Sequence, residues 1–182
     1  MAHHTAKSRT PAFIVYSFLL LLALSGLRPL HATDLDSDGL DDAWETSHGY
    51  NTLLYTRIVY VDAADGSDST GDGLSASTAF QTIGKALSQS FTAGDENVVL
   101  VAPGTYSGSL NRNLDFNGTD IWLRSSEGAA STVIDLEGAG RILSLTHGET
   151  LSSRLEGFTV RNGYMASYGT AVHLSTIFLP FT

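Results

Sequence analysis

The sequence predicts an all-β solenoid, and three observations lead there. From Asn97 onward the chain breaks into short apolar segments: NVVLVAPGTYSG, DIWLRSSEG, STVIDLEGAG, RILSLTHGE, SRLEGFTVRNG and TAVHLS. Gly-containing corners (APG, EG, EGAG, HG, RNG) end these segments, and no residue run beyond Gln89 has the period of an amphipathic helix. Closely spaced short strands without crossover helices suit a sandwich, a barrel or a solenoid. The recurring corners favour the solenoid, where each coil turns at similar places.

The N-terminal residues read as an export signal. Lys7 and Arg9 precede an apolar run from Ala12 to Leu24, shorter than the ~20 residues that span a bilayer. Gly26 and Ala32 then mark a cleavage point after residue 32, and the flank lacks the stop-transfer pattern of an uncleaved anchor. Cleavage there leaves seven basic against 19 acidic residues, a formal charge of −12. So acidic an exported chain is expected to avoid nucleic acid and anionic membranes, and to be secreted or held at the cell surface. With no cysteine, any staple other than packing must be a metal held by oxygens.

Residues 33–49 carry the strongest chemical signal. Six of the twelve residues in DLDSDGLDDAWE, 34–45, are acidic, a density whose repulsion calls for a cation. The run fits D-x-[DN]-x-[DN]-G-x5-E throughout. Asp34, Asp36 and Asp38 take loop positions one, three and five, Gly39 the sharp turn, the Leu40 carbonyl position seven, Asp42 position nine and Glu45 the bidentate twelfth. A short helix is expected to start at Trp44 and Glu45 and to stop near Gly49. Calcium, which accepts six to eight oxygens in flexible geometry, suits this set better than magnesium. A solvated acidic linker rich in Asx turns is the competing reading. No incoming helix precedes the loop, so it resembles the single-sided, EF-hand-like loops of thrombospondin type 3 repeats and dockerins.

A connector, 50–56, leads into 57–182. Arg57 to Val61 is a β-branched strand, and Asp62 to Ser77 a Gly/Asp/Ser loop. Asp65, Asp68 and Asp72 in that loop offer a weaker second calcium site. Thr78 to Gln89 places Phe80, Ile83, Ala86 and Leu87 at helical spacing, as a lid over the open edge of a stack. Inward positions are expected at Val99, Val101, Ile121, Leu123, Val133, Ile142, Leu143, Leu145, Leu155, Phe158, Val160 and Val172.

VYVDAADGSDSTGDGLSASTAFQTIGKALSQ, followed by VVLVAPGTYSG and LEGFTVRNGY, resembles the opening of right-handed parallel β-helix proteins of the pectate-lyase-like superfamily. The resemblance covers about Arg57 to Leu174 and implies that fold, with an N-terminal capping helix. It implies no activity by itself, because this opening introduces β-helices of many functions. Such proteins run through further coils. The apolar end, STIFLPFT, is therefore expected either to cap the stack through Ile177 to Phe181 or, as the favoured reading, to mark a shortened version of a longer protein.

Lyases on this fold need calcium-binding acids and an Arg or Lys base, and hydrolases need grouped carboxylates. Asp115, Asp120, Asp135, Glu137, Glu149 and Glu156 are the acids available, with Arg124, Arg141, Arg154 and Arg161 as bases. No local motif groups them, so solvated outward-facing roles are expected and no catalytic residue is assigned. His147 and His173 are read as surface or corner residues, and Asn162 as a turn residue. Asn117-Gly118-Thr119 is a glycosylation sequon. The expected function is an exported calcium-binding β-helix module, with a polysaccharide or cell-surface glycan as the partner the resemblance implies. Exposed aromatics such as Trp122 and Tyr164 add to that. The alternatives are the N-terminal part of a polysaccharide lyase or glycoside hydrolase, and a structural or adhesion repeat.

Overall fold

A computed structural model describes residues 33–89 and 91–164, with the backbone of 172–174. The expected export signal and the apolar tail lie outside the described residues. Those that are described fall, apart from Thr33, in one compact unit, Asp34–Thr182.

The chain is mostly short strands. Among the described residues a seven-residue helix α1 (Asp42–His48) comes first, followed by β1 (Thr56–Val61), a 3-10 turn (Ala76–Thr78) and a five-residue helix α2 (Ile83–Leu87); a second 3-10 turn spans Ser109–Asn111. Then come β2 (Glu96–Val101), β3 (Gly104–Tyr106), β4 (Leu114–Asp115), β5 (Ile121–Ser125), β6 (Thr132–Asp135), β7 (Leu143–Leu145), β8 (Arg154–Glu156), β9 (Thr159–Arg161) and β10 (Val172–Leu174). The strands form three sheets, ordered β1-β2-β5-β8, β3-β6-β9 and β4-β7-β10. All of their strand pairs are parallel. From β2 onward the chain visits the first, second and third sheet in strict rotation.

Parallel register stacks like positions on each other. In the first sheet Val59, Val99, Leu123 and Leu155 form one inward column; in the second, Tyr106, Ile134 and Val160 form another. Phe80, Ile83, Ala86, Leu87, Leu114, Phe116, Leu136, Ile142 and Leu143 belong to the same buried cluster, with Val61, Val101, Ile121 and Leu145. Leu155, Phe158 and Val160 pack against it while only partly buried.

Two expectations need correction. The expected helix over Thr78–Gln89 shrinks to Ile83–Leu87, because Phe80 is extended and bridges Val61 in parallel fashion. Thr82 caps the helix by accepting from the Lys85 amide, while the Asp68 carboxylate takes the amides of Gln81 and Thr82 at 2.8 and 3.0 Å. The four named lid residues are nonetheless all buried, against β1, β2 and β4. Val133, expected inside, is half-buried, and its neighbours Thr132 and Ile134 face inward. Thr132 is tolerated there because its hydroxyl meets that of Ser125 at 2.6 Å, so two buried polar groups satisfy each other. Val172 is described in backbone only.

The long polar loop is shaped by backbone proximity. A Cβ on Gly66 would overlap the carbonyl oxygens of Asp62 and Phe80, which explains a glycine at that point of the GSDSTGDG run. Asp72 is held by the Leu74 amide and the Thr78 hydroxyl, 2.9 and 2.6 Å. Asp68 and Asp72 thus fasten the loop with protein donors.

The alternation in β6 yields a direct test. Ile134 is fully buried, so Ile134→Ala should destabilise by about 2–5 kcal/mol. Val133→Ala, at a half-buried position, should cost well under half of that. Urea unfolding followed by circular dichroism measures both.

Candidate metal centre in the acidic loop

The loop folds by satisfying its own backbone with its own carboxylates. The Asp34 carboxylate accepts the Gly39 amide at 3.1 Å, Asp36 accepts Asp38 at 3.2 Å, and Asp38 accepts Leu40 at 2.7 Å. Gly39 turns with φ +94°, and Ser37 also has a positive φ, 65°. Asp42 at the start of α1 reaches back to the Leu35 amide at 3.0 Å. Helix α1 begins two residues earlier than expected. Asp41 caps it by accepting the amides of Ala43 and Trp44 at 2.9 and 3.0 Å, and Gly49 ends it in the left-handed conformation.

Carboxylate oxygens of Asp34, Asp36 and Asp38 lie within 4.8 Å of one another. Glu45, the expected bidentate ligand, stands outside that trio but beside it. Its side chain is fully buried, and one oxygen accepts the Thr56 hydroxyl at 3.2 Å. Thr56 also donates its amide to Asp38 at 2.8 Å, so the first residue of β1 ties two of the expected ligands together. Two buried oxygens, Asp36 Oδ2 and Glu45 Oε2, have no hydrogen-bond partner. Burial pushes both carboxyls above their ordinary range. For Glu45 the Thr56 bond opposes this, while the charges of Asp38, Asp36 and Asp42 add to it. A buried carboxylate oxygen without a donor is costly, and a divalent cation is the partner that an acceptor-only group of this kind lacks. The bonds made by Asp34, Asp38 and Asp42 leave lone pairs for such an ion. The residues present therefore fit calcium.

Thr56 and Asp41 are the residues that motif reading missed. Asp41 was accessible as an Asp before a helix. Thr56 carries no local signal, since it acts from eleven and eighteen residues away.

Several of the other acids and arginines link segments remote in sequence. Asp120 accepts the amide and hydroxyl of Thr150, both at 2.6 Å, and the Ser153 hydroxyl at 2.8 Å. Asp135 receives Arg161 and Asn162, each at 2.9 Å, and Glu137 pairs with Arg112 at 2.6 Å. Glu149 corrects the expectation of a solvated charge. It is 3% exposed and accepts the amides of Gly118 and His147 at 2.8 and 2.9 Å. His147, exposed as expected, meets Asp115 at 3.2 Å, a partner that sequence spacing does not reveal. Glu156 accepts the Trp122 indole N–H at 3.0 Å. Asp115, His147 and Glu149 form a second cluster of potential ligands, but none of its buried oxygens lacks a hydrogen-bond partner, as Asp36 Oδ2 and Glu45 Oε2 do.

Trp122 is also a correction. Expected to be exposed, it is 6% exposed. Tyr50 stands edge-on to it at 5.8 Å, and the guanidiniums of Arg124 and Arg154 lie over the ring at 4.2 and 4.3 Å. Tyr164 is exposed. Beside Trp122 runs a groove of about 430 Å³ lined by Asn51, Glu96, Asn97, Asp120, Thr150 and Arg154, among others.

The Asp120 contacts set a pH dependence. Burial raises its carboxyl, but the Thr150 and Ser153 donors outweigh that and hold it below the ordinary range. A carboxyl lowered on folding stabilises above its unfolded value, about 4, and loses that contribution as pH falls through the folded value. Wild type should therefore melt above Asp120→Asn at neutral pH, and the gap should close below about pH 4. Thermal melts from pH 7 downward, with chelator throughout, check it.

Comparison of the chain with protein-family models, curated proteins and solved structures finds no match.

Proposed function

We propose that this chain is an exported calcium-binding module built on a right-handed parallel β-helix. One calcium ion would be held by Asp34, Asp36, Asp38, the Leu40 carbonyl, Asp42 and Glu45. The observation that carries the metal is the pair of buried, donorless oxygens on Asp36 and Glu45, set among four further acids of one short run. When bound, the ion supplies positive charge to a loop that otherwise repels itself. The protein's own part is to aim the oxygens: Gly39 turns the loop, Asp41 starts α1 so that Glu45 points inward, and Thr56 holds Asp38 and Glu45 together.

The rotation of the chain through three parallel sheets supports the β-helix, and parallel crossovers are almost always right-handed. A polysaccharide or cell-surface glycan is the partner class we assign. The groove beside Trp122 supports it with amide, hydroxyl, carboxylate and guanidinium groups along a wall that crosses successive coils. Sugars are recognised by such hydrogen-bonding groups. The Trp122 ring, covered on its faces, stiffens the wall.

Calorimetry of the protein with calcium chloride tests the metal. One site is expected, with Glu45→Gln and Asp36→Asn each weakening it at least tenfold, and magnesium binding more weakly. Absence of calcium heat would remove the reading. Because burial raises the Asp36 and Glu45 carboxyls, affinity should start to fall on acidification while ordinary carboxylates, which titrate at about 4, are still ionised. A glycan array, with Arg154→Ala as control, tests the partner. Binding indifferent to that substitution would exclude the groove.

A further inference from the structure

The acidic loop and α1 do not stand apart from the sheets. They lie against the outer face of the first one, where Ile58, Val98, Trp122 and Arg154 form an outward column. Tyr50, just past α1, is buried with Val98 and Trp122 in a cluster separate from the main core, against which Ile58 and Leu100 pack. The Arg124 guanidinium donates to the His48 carbonyl at 2.8 Å, and the Asn51 amide donates to Glu96 at 2.6 Å. The Trp44 and His48 rings stack at 4.1 Å on the same side. Residues 34–55 thus cover an apolar-aromatic face.

That cover has little stability of its own. Helix α1 has seven residues, and isolated helices below about 12 residues are marginal in water. It is joined to a loop with six acids in twelve residues. The acids connect to the sheet through Thr56, buried at the start of β1, whose amide and hydroxyl hold Asp38 and Glu45. Glu45 is fully buried with one oxygen lacking a donor, so the loop's most enclosed group is the one most in need of a cation.

We propose that residues 34–55 form a calcium-set strap. With the ion bound, Asp38 and Glu45 stay converged on Thr56, and α1 and Tyr50 stay seated on the first sheet. Without it, the carboxylates separate, α1 frays, and Trp122 with Val98 is uncovered while the stacked strands remain folded. This rests on the calcium reading of the same loop and adds to it a conformational output.

The chain has two tryptophans, so Trp44→Phe makes Trp122 the single reporter. Calorimetry with calcium chloride first establishes binding in wild type and variant. Then chelator is added and acrylamide quenching of Trp122 is read alongside the far-ultraviolet dichroism. The expected result is at least a threefold rise in quenching and a red shift, with the β signal kept. Calcium binding with Trp122 equally protected in chelator would overturn the strap and leave the calcium site standing. No calcium binding would overturn both. Loss of the β signal on chelation would also overturn the strap, since the ion would then hold the whole fold. Hydrogen exchange on wild type reads the same release without a substitution. Amides of 42–56 should exchange at least tenfold faster in chelator while those of β5 do not. Thr56→Val, which removes the hydroxyl and keeps the shape, should weaken calcium several-fold; unchanged affinity would remove Thr56 from the device.

Discussion

Parallel pairing between strands of three sheets is the constraint on which the rest depends. A strand in these sheets finds no hairpin partner, so its amides and carbonyls must match the register of a parallel strand remote in sequence. Register and side-chain direction are then locked together, since a slip of one residue turns a whole segment inside out. The inward column Val59, Val99, Leu123 and Leu155 is the result in the first sheet. Between the strands, the corners have no ladder. There the side chains supply the missing partners: Asp120 to Thr150 and Ser153, Glu149 to Gly118 and His147, Asp135 to Asn162. An acidic chain with few basic residues can build such corners because a carboxylate accepts several backbone and hydroxyl donors at once.

The same logic extends to the acidic loop, with one difference. At the corners, carboxylates meet N–H and O–H donors in number. In the loop, Asp36 Oδ2 and Glu45 Oε2 are buried without a donor, with other carboxylates nearby. A buried acceptor among like charges has its ionised form raised in energy, which is why both carboxyls move upward while Asp120, Asp135 and Glu149 move downward. The contrast between the two groups within one chain is what singles out the loop acids as the candidates for a cation.

How much of this was legible follows from how local each signal is. The acidic loop could be read residue by residue, because its positions lie within one short run; even so, α1 begins at Asp42 rather than Trp44, through the cap made by Asp41. The short strands and Gly corners were legible for the same reason, and most expected inward residues are buried. Val133 was misplaced because apolar character suggested the inside, while the hydroxyl pair of Ser125 and Thr132 made a polar residue acceptable there. Trp122 was misplaced because two of the groups that cover it, Tyr50 and Arg154, are remote in sequence, and only Arg124 is a near neighbour. The pairing of His147 with Asp115, and the double hold of Thr56, likewise belong to the stacking and not to any local pattern.

Thr56 links the two halves of the molecule because a strand's first residue has a free choice of partner. Thr56 opens the register that β1 makes with β2, opposite Glu96, yet its amide goes to Asp38. By giving the amide to Asp38 and the hydroxyl to Glu45, it converts the position of two carboxylates into the position of a strand end. Within the first sheet each strand pairs only with its neighbours, in the order β1-β2-β5-β8. A restraint at the first strand therefore acts on β2 directly and on β8 only through the strands between them. The outer face of the first sheet, covered by Tyr50 and bounded by Arg124 and Glu96, is where any change in the loop must be felt first.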